Sequence, residues 1–597
     1  MVYNYYQMEQ VMDETKLEQL MKLKAAEEAK RARVRKQIPC GPQLEMFEKG
    51  QDREKPVNGI VVLEGRCFKN RDPRGIRFGD MWLDEYLKEM GIKEPFVVRT
   101  LLEKQDWSGF EVRYGLYGCA AYGPMSMTGM ILYGLMQGVE TLRGLERLAR
   151  TDVGCMWVSG GITPDHATIG RFIVLQGDLL TDDFFEKLTK DILKITGSTT
   201  SSLAGDGTVL QSFSSRYKTI RHEAAQEMAK QAQEKAQGSE SPKQQAKAEL
   251  AQKVLDTIEA RIEKKEAKGK DTKQVKISPH EPEAVVQPLK EGVCAPSYKP
   301  STLVNNDKII VGLAVDPSNE STVVASMLDM AERIGEEKVS ELMLDAGYFN
   351  KLILELCIDR DINLLCPEGR SLGEGEWIKD TERYPKSAFT YHEDTDTYVC
   401  PQGQVLTIID KYAGSESSPA FIRYGTPACA HCPVREQCTK DKNGRRIKRY
   451  AGDEAKEAQR QVMKDPRARK RYRQRQAIVE PVFGYMKRVL KFTRFRRRGL
   501  AKVRVEFALY AMAYNLCRLK ALLSAGVLAL FWLLIRTFRR IYAPQMTFWE
   551  KFAPLHFIPA PKCYSTCDLA KITSATASFV GEGQGEGEYH VFRYELE

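Results

Sequence analysis

Arg467 to Leu500 reads RARKRYRQRQAIVEPVFGYMKRVLKFTRFRRRGL, a run in which one acid, Glu480, stands in a basic field. Fourteen Lys or Arg lie between Lys464 and Arg498, and Asp465 is the second acid of that span. Val479, Val482, Phe483, Met486, Val489 and Leu490 recur at helical spacing, so one face should pack on a core while the basic face stays in water. Tyr472, Arg475, Glu480 and Lys487 then fall within about four turns of one element. Pro481 removes a backbone donor and crowds the preceding turn, so the helix either kinks there or restarts with Pro481 as its first residue. A lone carboxylate in such surroundings is either an ion-pair partner or a metal ligand.

The 597 residues are enough for about three or four domains. The net charge of +10 is modest for that size. Its concentration around Glu480 is not, and a basic stripe of this kind fits either a nucleic-acid binder or a solvated face. The opening MVYNYYQMEQVMDETKLEQL is acidic and has no apolar core, which leads to the expectation of a cytoplasmic protein. The apolar run Ala521 to Ile535 is fifteen residues long, short of a membrane span, and is expected to be a buried helix or a partner surface. Fourteen cysteines without an export signal suggest thiols or metal ligands rather than disulfides.

Upstream, residues 1–74 read as a charged helix and linker, and 75–198 as compact apolar helices. Thr163 ahead of Pro164 is expected to start the helix TPDHATIGRFIVLQG. TTSSLAGDGTVLQSF, from Thr199, has strand character, with Asp206 between Gly205 and Gly207. That is either a ligand-binding strand end or a hairpin turn. Residues 216–305, rich in Ala, Lys, Gln and Glu, read as a helical hairpin or a partly disordered insertion. KIIVGLAVDPS, from Lys308, fits a strand buried on both faces, and ELMLDAGYF places Asp345 at the end of another. The alternation of strands and helices that follows implies a mixed sheet with flanking helices, an α/β fold. A second insertion, 370–454, carries Cys400, Cys429, Cys432 and Cys438. The Cys-x2-Cys pair is a zinc half-site that four thiolates would complete, with His431 a possible substitute and reduced thiols the alternative reading. Residues 455–523 return to the core, and 524–597 add an apolar helix and a Gly-rich, acidic tail.

The pattern Tyr472, Arg475, Glu480, Lys487 resembles the signature of the DDE-type transposases of bacterial insertion sequences, with one residue more than usual between Arg and Glu. Pro164-Asp165-His166 ahead of Thr168-Ile169 and Arg171-Phe172 resembles the helical domain that precedes their catalytic core, which would either bind transposon ends or only pack. The resemblance implies a ribonuclease H-like core formed by 199–215, 306–369 and 455–523, with Asp206 on its first strand, Asp345 just past the fourth and Glu480 on a later helix. It further implies that these three acids hold Mg2+ or Mn2+ and are catalytic. Tyr472, Arg475, Lys487, Arg488, Arg496 and Arg497 would then contact DNA. The implied partners are the inverted terminal repeats and target DNA, held by a homodimer with no membrane involvement. A catalytically inactive DNA-binding relative, acting as a regulator or surviving as a decayed copy, is the competing reading.

Overall fold

The computed structural model describes residues 59–542 apart from 64–65, 71, 117–118, 238–240, 268, 270, 291, 370–383, 385 and 415–419, and for 526–542 the description is of the backbone. The charged N-terminal segment before residue 59, the tail after 542 and the start of the second insertion lie outside the described residues. The chain is mixed α/β, with several sheets.

The first part is helical: α1 (Leu83–Glu89), α2 (Glu94–Glu103), α3 (Pro124–Met136), α4 (Leu142–Thr151), α5 (Val153–Ser159), α6 (His166–Leu175) and α7 (Asp182–Thr196). Apart from Met125, every residue of α3 is buried, which suits a helix surrounded by others. The helix expected to begin at Thr163 starts later. Asp165 is its N-cap and accepts a hydrogen bond from Thr168 N, so the carboxylate satisfies a first-turn donor that Thr163 is too far upstream to reach.

The central sheet has seven strands. Its main path runs from β1 (Ser202–Gly207), β2 (Cys294–Asn305) and β3 (Ile310–Asp316) to β4 (Glu341–Met343) and β5 (Asn363–Leu365), in the spatial order β3-β2-β1-β4-β5. β1, β2 and β3 pair antiparallel, β4 lies parallel to β1, and β5 lies parallel to β4. Leu210–Gln211 and Val285–Pro288 pair with the first half of β2. Between β1 and β2, α8 (His222–Gln237) and α9 (Pro242–Glu266) form a helical hairpin over a small core of Ala225, Val254, Ile258, Val275 and Ile277. The insertion therefore ends earlier than the expected residue 305. The sequence CAPSYKPSTLVN is β2, and its two prolines and missing apolar alternation disguise a strand at the heart of the sheet.

Parallel neighbours need a crossover, and α10 (Val324–Gly335) and α11 (Lys351–Asp359) supply the two. After β5 comes a separate antiparallel sheet: β6 (Thr390–His392), β7 (Thr397–Val399), β8 (Val405–Tyr412), β9 (Phe421–Gly425) and β10 (Ile447–Tyr450), in chain order across the sheet. Its core is Phe389, Tyr398, Leu406, Tyr424 and Ile447. Then follow α12 (Asp453–Val462), α13 (Pro466–Arg488) and α14 (Leu500–Tyr542). Gln459 on α12 donates to Leu364 O at 2.8 Å and so covers the β5 edge of the central sheet.

A single cluster of buried residues runs from Val98 to Leu519, so the expected boundary at 198/199 does not divide the core. Asn515 on α14 shows how the halves are joined. Fully buried, it accepts from Ile310 N at 2.9 Å and donates to Ile310 O at 2.8 Å and Thr189 at 3.2 Å, tying α14 to α7 and to the irregular start of β3. No helix among the described residues is long and apolar enough to cross a membrane.

Candidate active site

Helix α13 begins at Pro466 behind the N-cap Asp465 and continues unbroken through Pro481, so of the two alternatives, a kink or a restart at Pro481, the restart does not occur. The backbone donor that Pro481 lacks would have served Ala477, which is exposed, so water can satisfy that carbonyl. Ile478, Val479, Val482, Phe483 and Met486 form the buried face, while Val489, expected to pack, is exposed. On the flank of that face, cations grip β1 in sequence. Arg471 donates to Ser202 Oγ at 2.7 Å and to Glu341 at 2.8 Å. Arg475 donates to Gly205 O at 3.1 Å and pairs with Asp206 at 3.0 Å, and Lys487 donates to Thr208 Oγ1 at 2.9 Å. From Arg471 to Lys487 the helix advances about 24 Å, close to the roughly 20 Å from Ser202 to Thr208, so helix and strand run alongside one another.

Asp206 is paired across the sheet with Thr302, and Gly207 with Ser301, which excludes the hairpin-turn reading. β4 lies beside β1 with Met343 opposite Ala204. Asp345 lies two residues beyond the last paired residue, Met343, and near enough to Asp206 for its charge to act on that carboxyl. Asp345 caps a short 3-10 turn and accepts from Gly347 N at 2.9 Å, while Cys366 Sγ donates to its carbonyl at 3.1 Å. Burial raises the Asp206 carboxyl above the usual carboxylate range; Arg475 opposes this, and Asp345 and Glu320 add to it. Buried Thr302 Oγ1, on the residue directly across from Asp206, has no hydrogen-bond partner among the described residues. Two neighbouring carboxylates are a donor set suited to a hard divalent cation.

Glu320 belongs to this corner, and the sequence reading missed it. It ends the polar turn Ser318-Asn319-Glu320 after β3, where nothing in the local pattern marks one residue over another. Its carboxylate is held by Lys299 at 3.2 Å and receives the Tyr348 hydroxyl at 3.4 Å. A Cβ on Gly207 would lie 2.1 Å from Glu320 Oε2, so residue 207 has no side chain because the Glu320 carboxylate fills that space. Gly207→Ala should therefore cost about 1–2 kcal/mol by forcing Glu320 off its partners. In a Glu320→Ala background the same change should cost less, a non-additivity that denaturant titration of the four-protein cycle would reveal; strictly additive values would refute the contact.

Glu480 is not brought against the two aspartates. It is exposed and accepts from Gln476 Nε2 at 2.9 Å. Among the described residues no three His, Cys, Asp or Glu side chains stand together at metal-holding geometry. Tyr472 packs half-buried against the core, its hydroxyl pKa raised by burial, with Arg475 opposing and Cys366, Asp345 and Asp206 adding to the rise. On the helical wheel Tyr472 lies about 60° from Arg475 and Glu480 about 140°, in the same rotational sense.

Much of the basic run is turned inward. Arg494 donates to Ser212 O at 2.9 Å, Arg496 pairs with Glu140, and the Arg496 and Arg497 backbone N–H groups donate to buried Glu506 at 3.0 Å each. Arg488 is exposed. In the second sheet, Cys400, Cys429, Cys432 and Cys438 line one pocket with Arg445. Burial pushes the Cys438 thiol up, Arg445 opposes this, and the other three cysteines add to the rise. His431, the possible substitute ligand, is exposed and is not part of the pocket lining.

Residues 399–520 match the family model described as Transposase DDE domain, and residues 90–174 the one described as Transposase domain (DUF772). Together the two matches support a DDE-type transposase of an insertion sequence, the class that the sequence resembles. Activity of the general nuclease or transposase kind, with DNA as the partner, goes with that class. The DDE-domain match takes in Glu480, Lys487 and the four pocket cysteines, while Asp206 and Asp345 lie outside it. No curated protein matches the chain.

Proposed function

We propose that this protein cuts DNA at the inverted-repeat ends of an insertion sequence and joins those ends to target DNA, using Asp206, Asp345 and Glu480 in a ribonuclease H-like core. The observation that carries the reading is that Asp206 lies on β1 and Asp345 just past the end of its parallel neighbour β4, with Arg475 of α13 paired to Asp206. Further support comes from the strand order, with Asp206 on the first strand of the main path, Asp345 just past the fourth and Glu480 on a later helix. Asp206 and Asp345 would hold magnesium or manganese, with Glu480 joining them by a change of side-chain rotamer. Such ions, when bound, supply Lewis-acid stabilisation of the attacking and leaving oxygens of a phosphodiester. Water as nucleophile gives cleavage, and a freed 3′-hydroxyl gives joining. Tyr472, Arg475, Lys487 and Arg488 would steady the DNA backbone, as would Arg496 and Arg497 if released from their present partners. A homodimer holding two ends, in the cytoplasm, completes the reading.

The test is cleavage of a duplex carrying the element's flanking inverted repeats, with and without Mg2+, by the wild-type chain and by Glu480→Gln. Cleavage that needs the metal and is lost in the variant supports the reading. The present position of Glu480, bonded to Gln476, favours the competing reading of a silent DNA-binding relative. That relative would bind the repeats and cut nothing at any metal concentration.

Cys400, Cys429, Cys432 and Cys438 would hold one structural zinc after a small closing movement, since all four line one pocket but do not yet stand at metal-holding geometry. Elemental analysis should return about one zinc per chain, and Cys432→Ser should lose most of it, with a fall in stability of several kcal/mol. A metal-free wild-type chain of unchanged stability in strong chelator would favour the free-thiol reading.

A further inference from the structure

The second sheet has one face covered and one open, and the open face has an unusual composition. Tyr398, Tyr424 and Ile447 point inward, and Arg449 on the same side is buried and paired with Glu454 at 2.8 Å and Glu457 at 3.0 Å on α12. Strand alternation sends Phe421 and Arg423 on β9, and Lys448 and Tyr450 on β10, to the opposite side. Register adds Tyr412 beside Phe421 and Asp410 beside Arg423 on β8. The result is a rung of three rings, Tyr412–Phe421–Tyr450, with centroids 5.0 and 5.7 Å apart. Beside it is a rung of Asp410, Arg423 and Lys448. Lys448 Nζ lies 4.3 Å and Arg423 Cζ 5.3 Å from the Phe421 ring centre. Arg446 and Lys448 are exposed, as are Ile409 and Tyr412, at 51% and 39%.

A solvated face of an antiparallel sheet is ordinarily polar. Cross-strand pairing alone explains the contacts between rings, but it leaves Ile409 and Tyr412 in water and two cations over one ring. One exposed ring, Tyr412, backed by the half-buried Phe421 and Tyr450 and flanked by cations, matches a partner that is both anionic and flat-faced: a nucleic-acid strand with unpaired bases, one of which stacks on the ring while its phosphates meet Lys and Arg. Charge decides against an acidic protein surface as the first choice, because such a surface offers nothing for the rings to stack on. The DDE-domain match spans β8 to β10, so this face is part of the transposase domain itself.

We infer that the open face of β8, β9 and β10 binds single-stranded DNA, with Arg446 and Lys448 on phosphates and Tyr412 stacked on a base, Arg423 being held by Asp410 at 3.0 Å. This rests on the proposed function and deepens it by locating a second DNA-contacting surface away from the carboxylates. The experiment measures anisotropy of a labelled oligothymidylate with the full chain, across a salt series. Arg446→Glu combined with Lys448→Glu should weaken binding at least about tenfold and lower the salt slope by about two. Tyr412→Ala should weaken single-strand binding about fivefold or more and leave duplex binding unchanged. Thermal unfolding serves as the folding control, and Arg446→Gln with Lys448→Gln replaces the charge reversals if these unfold the sheet. Unchanged affinity and slope would overturn the inference. So would a shift in oligomeric state on sedimentation with DNA binding intact, which would make the face a contact between copies of this chain. If the variants bind normally while metal-dependent cleavage persists, this inference alone fails; if the wild-type chain binds no DNA of any form, the functional reading fails with it.

Discussion

Asp206→Asn and Asp345→Asn should each reduce strand cleavage by at least about a thousandfold, roughly 4 kcal/mol of barrier, while repeat-DNA binding stays within a few-fold of wild type. Each removes one anionic oxygen from the neighbouring pair of carboxylates on β1 and just past β4. Folding should not suffer. The side-chain amide introduced by Asp206→Asn would still offer Arg475 an oxygen acceptor, and Asp206 is a carboxylate whose ionisation burial already disfavours. Denaturant midpoints should therefore be equal to wild type or slightly higher, which separates loss of chemistry from loss of structure. The sign of the pH effect follows from the same shift. Because the folded-state carboxyl of Asp206 holds its proton to higher pH than an unperturbed one, and a metal ligand must be deprotonated, cleavage should fall as pH drops while ordinary carboxylates are still ionised. Full cleavage by Asp206→Asn would remove this aspartate from the mechanism.

Glu506→Ala should destabilise the fold by about 3–5 kcal/mol, the largest stability effect expected of a single substitution here. Glu506 is buried on α14 and accepts the backbone N–H groups of Arg496 and Arg497, closing the basic loop against the helix. Removing it leaves those donors unmet and takes the counter-charge from Arg497, whose own pKa burial already lowers. Burial pushes Glu506 up to about 7, against the opposing pull of the two arginines. Its folded pKa thus exceeds its unfolded value, so the folded state binds more protons through this window. Its contribution to stability is complete below about pH 4.5 and is lost as pH rises toward 7, a change of about 3 kcal/mol. Glu506→Gln keeps an acceptor and abolishes the titration, so the wild-type minus variant difference should fall between pH 5 and pH 8. A pH-independent difference would show that Glu506 is ionised throughout.

What was legible in the sequence is what depends on local pattern. The buried side of α13, the apolar strand from Ile310, and the strand-end position of Asp345 all follow from periodicities that depend on whether a side chain faces a core or water. Prolines hid β2, because Pro296 and Pro300 sit in a strand where they are normally excluded. Asp165 displaced Thr163 as a helix cap because two good capping residues two positions apart cannot be ranked without the first-turn geometry.

Charge misled where pattern did not. Fourteen cations around Glu480 read as a wet face, yet Arg471, Arg475, Arg494, Arg496 and Arg497 have intramolecular partners. A basic residue looks the same in sequence whether it meets solvent or a carboxylate that folding delivers from elsewhere. Sequence alone therefore determined the class of protein that the chain resembles and the order of the local elements. Tertiary structure alone decided that Asp206 meets Arg475 from 269 residues away, that Glu320 fills the space beside Gly207, and that Glu480 stands apart from the aspartates. Secondary structure is set by neighbours along the chain, whereas the pairing of charges depends on which strands and helices come to lie side by side, and that is fixed only when the sheet order closes.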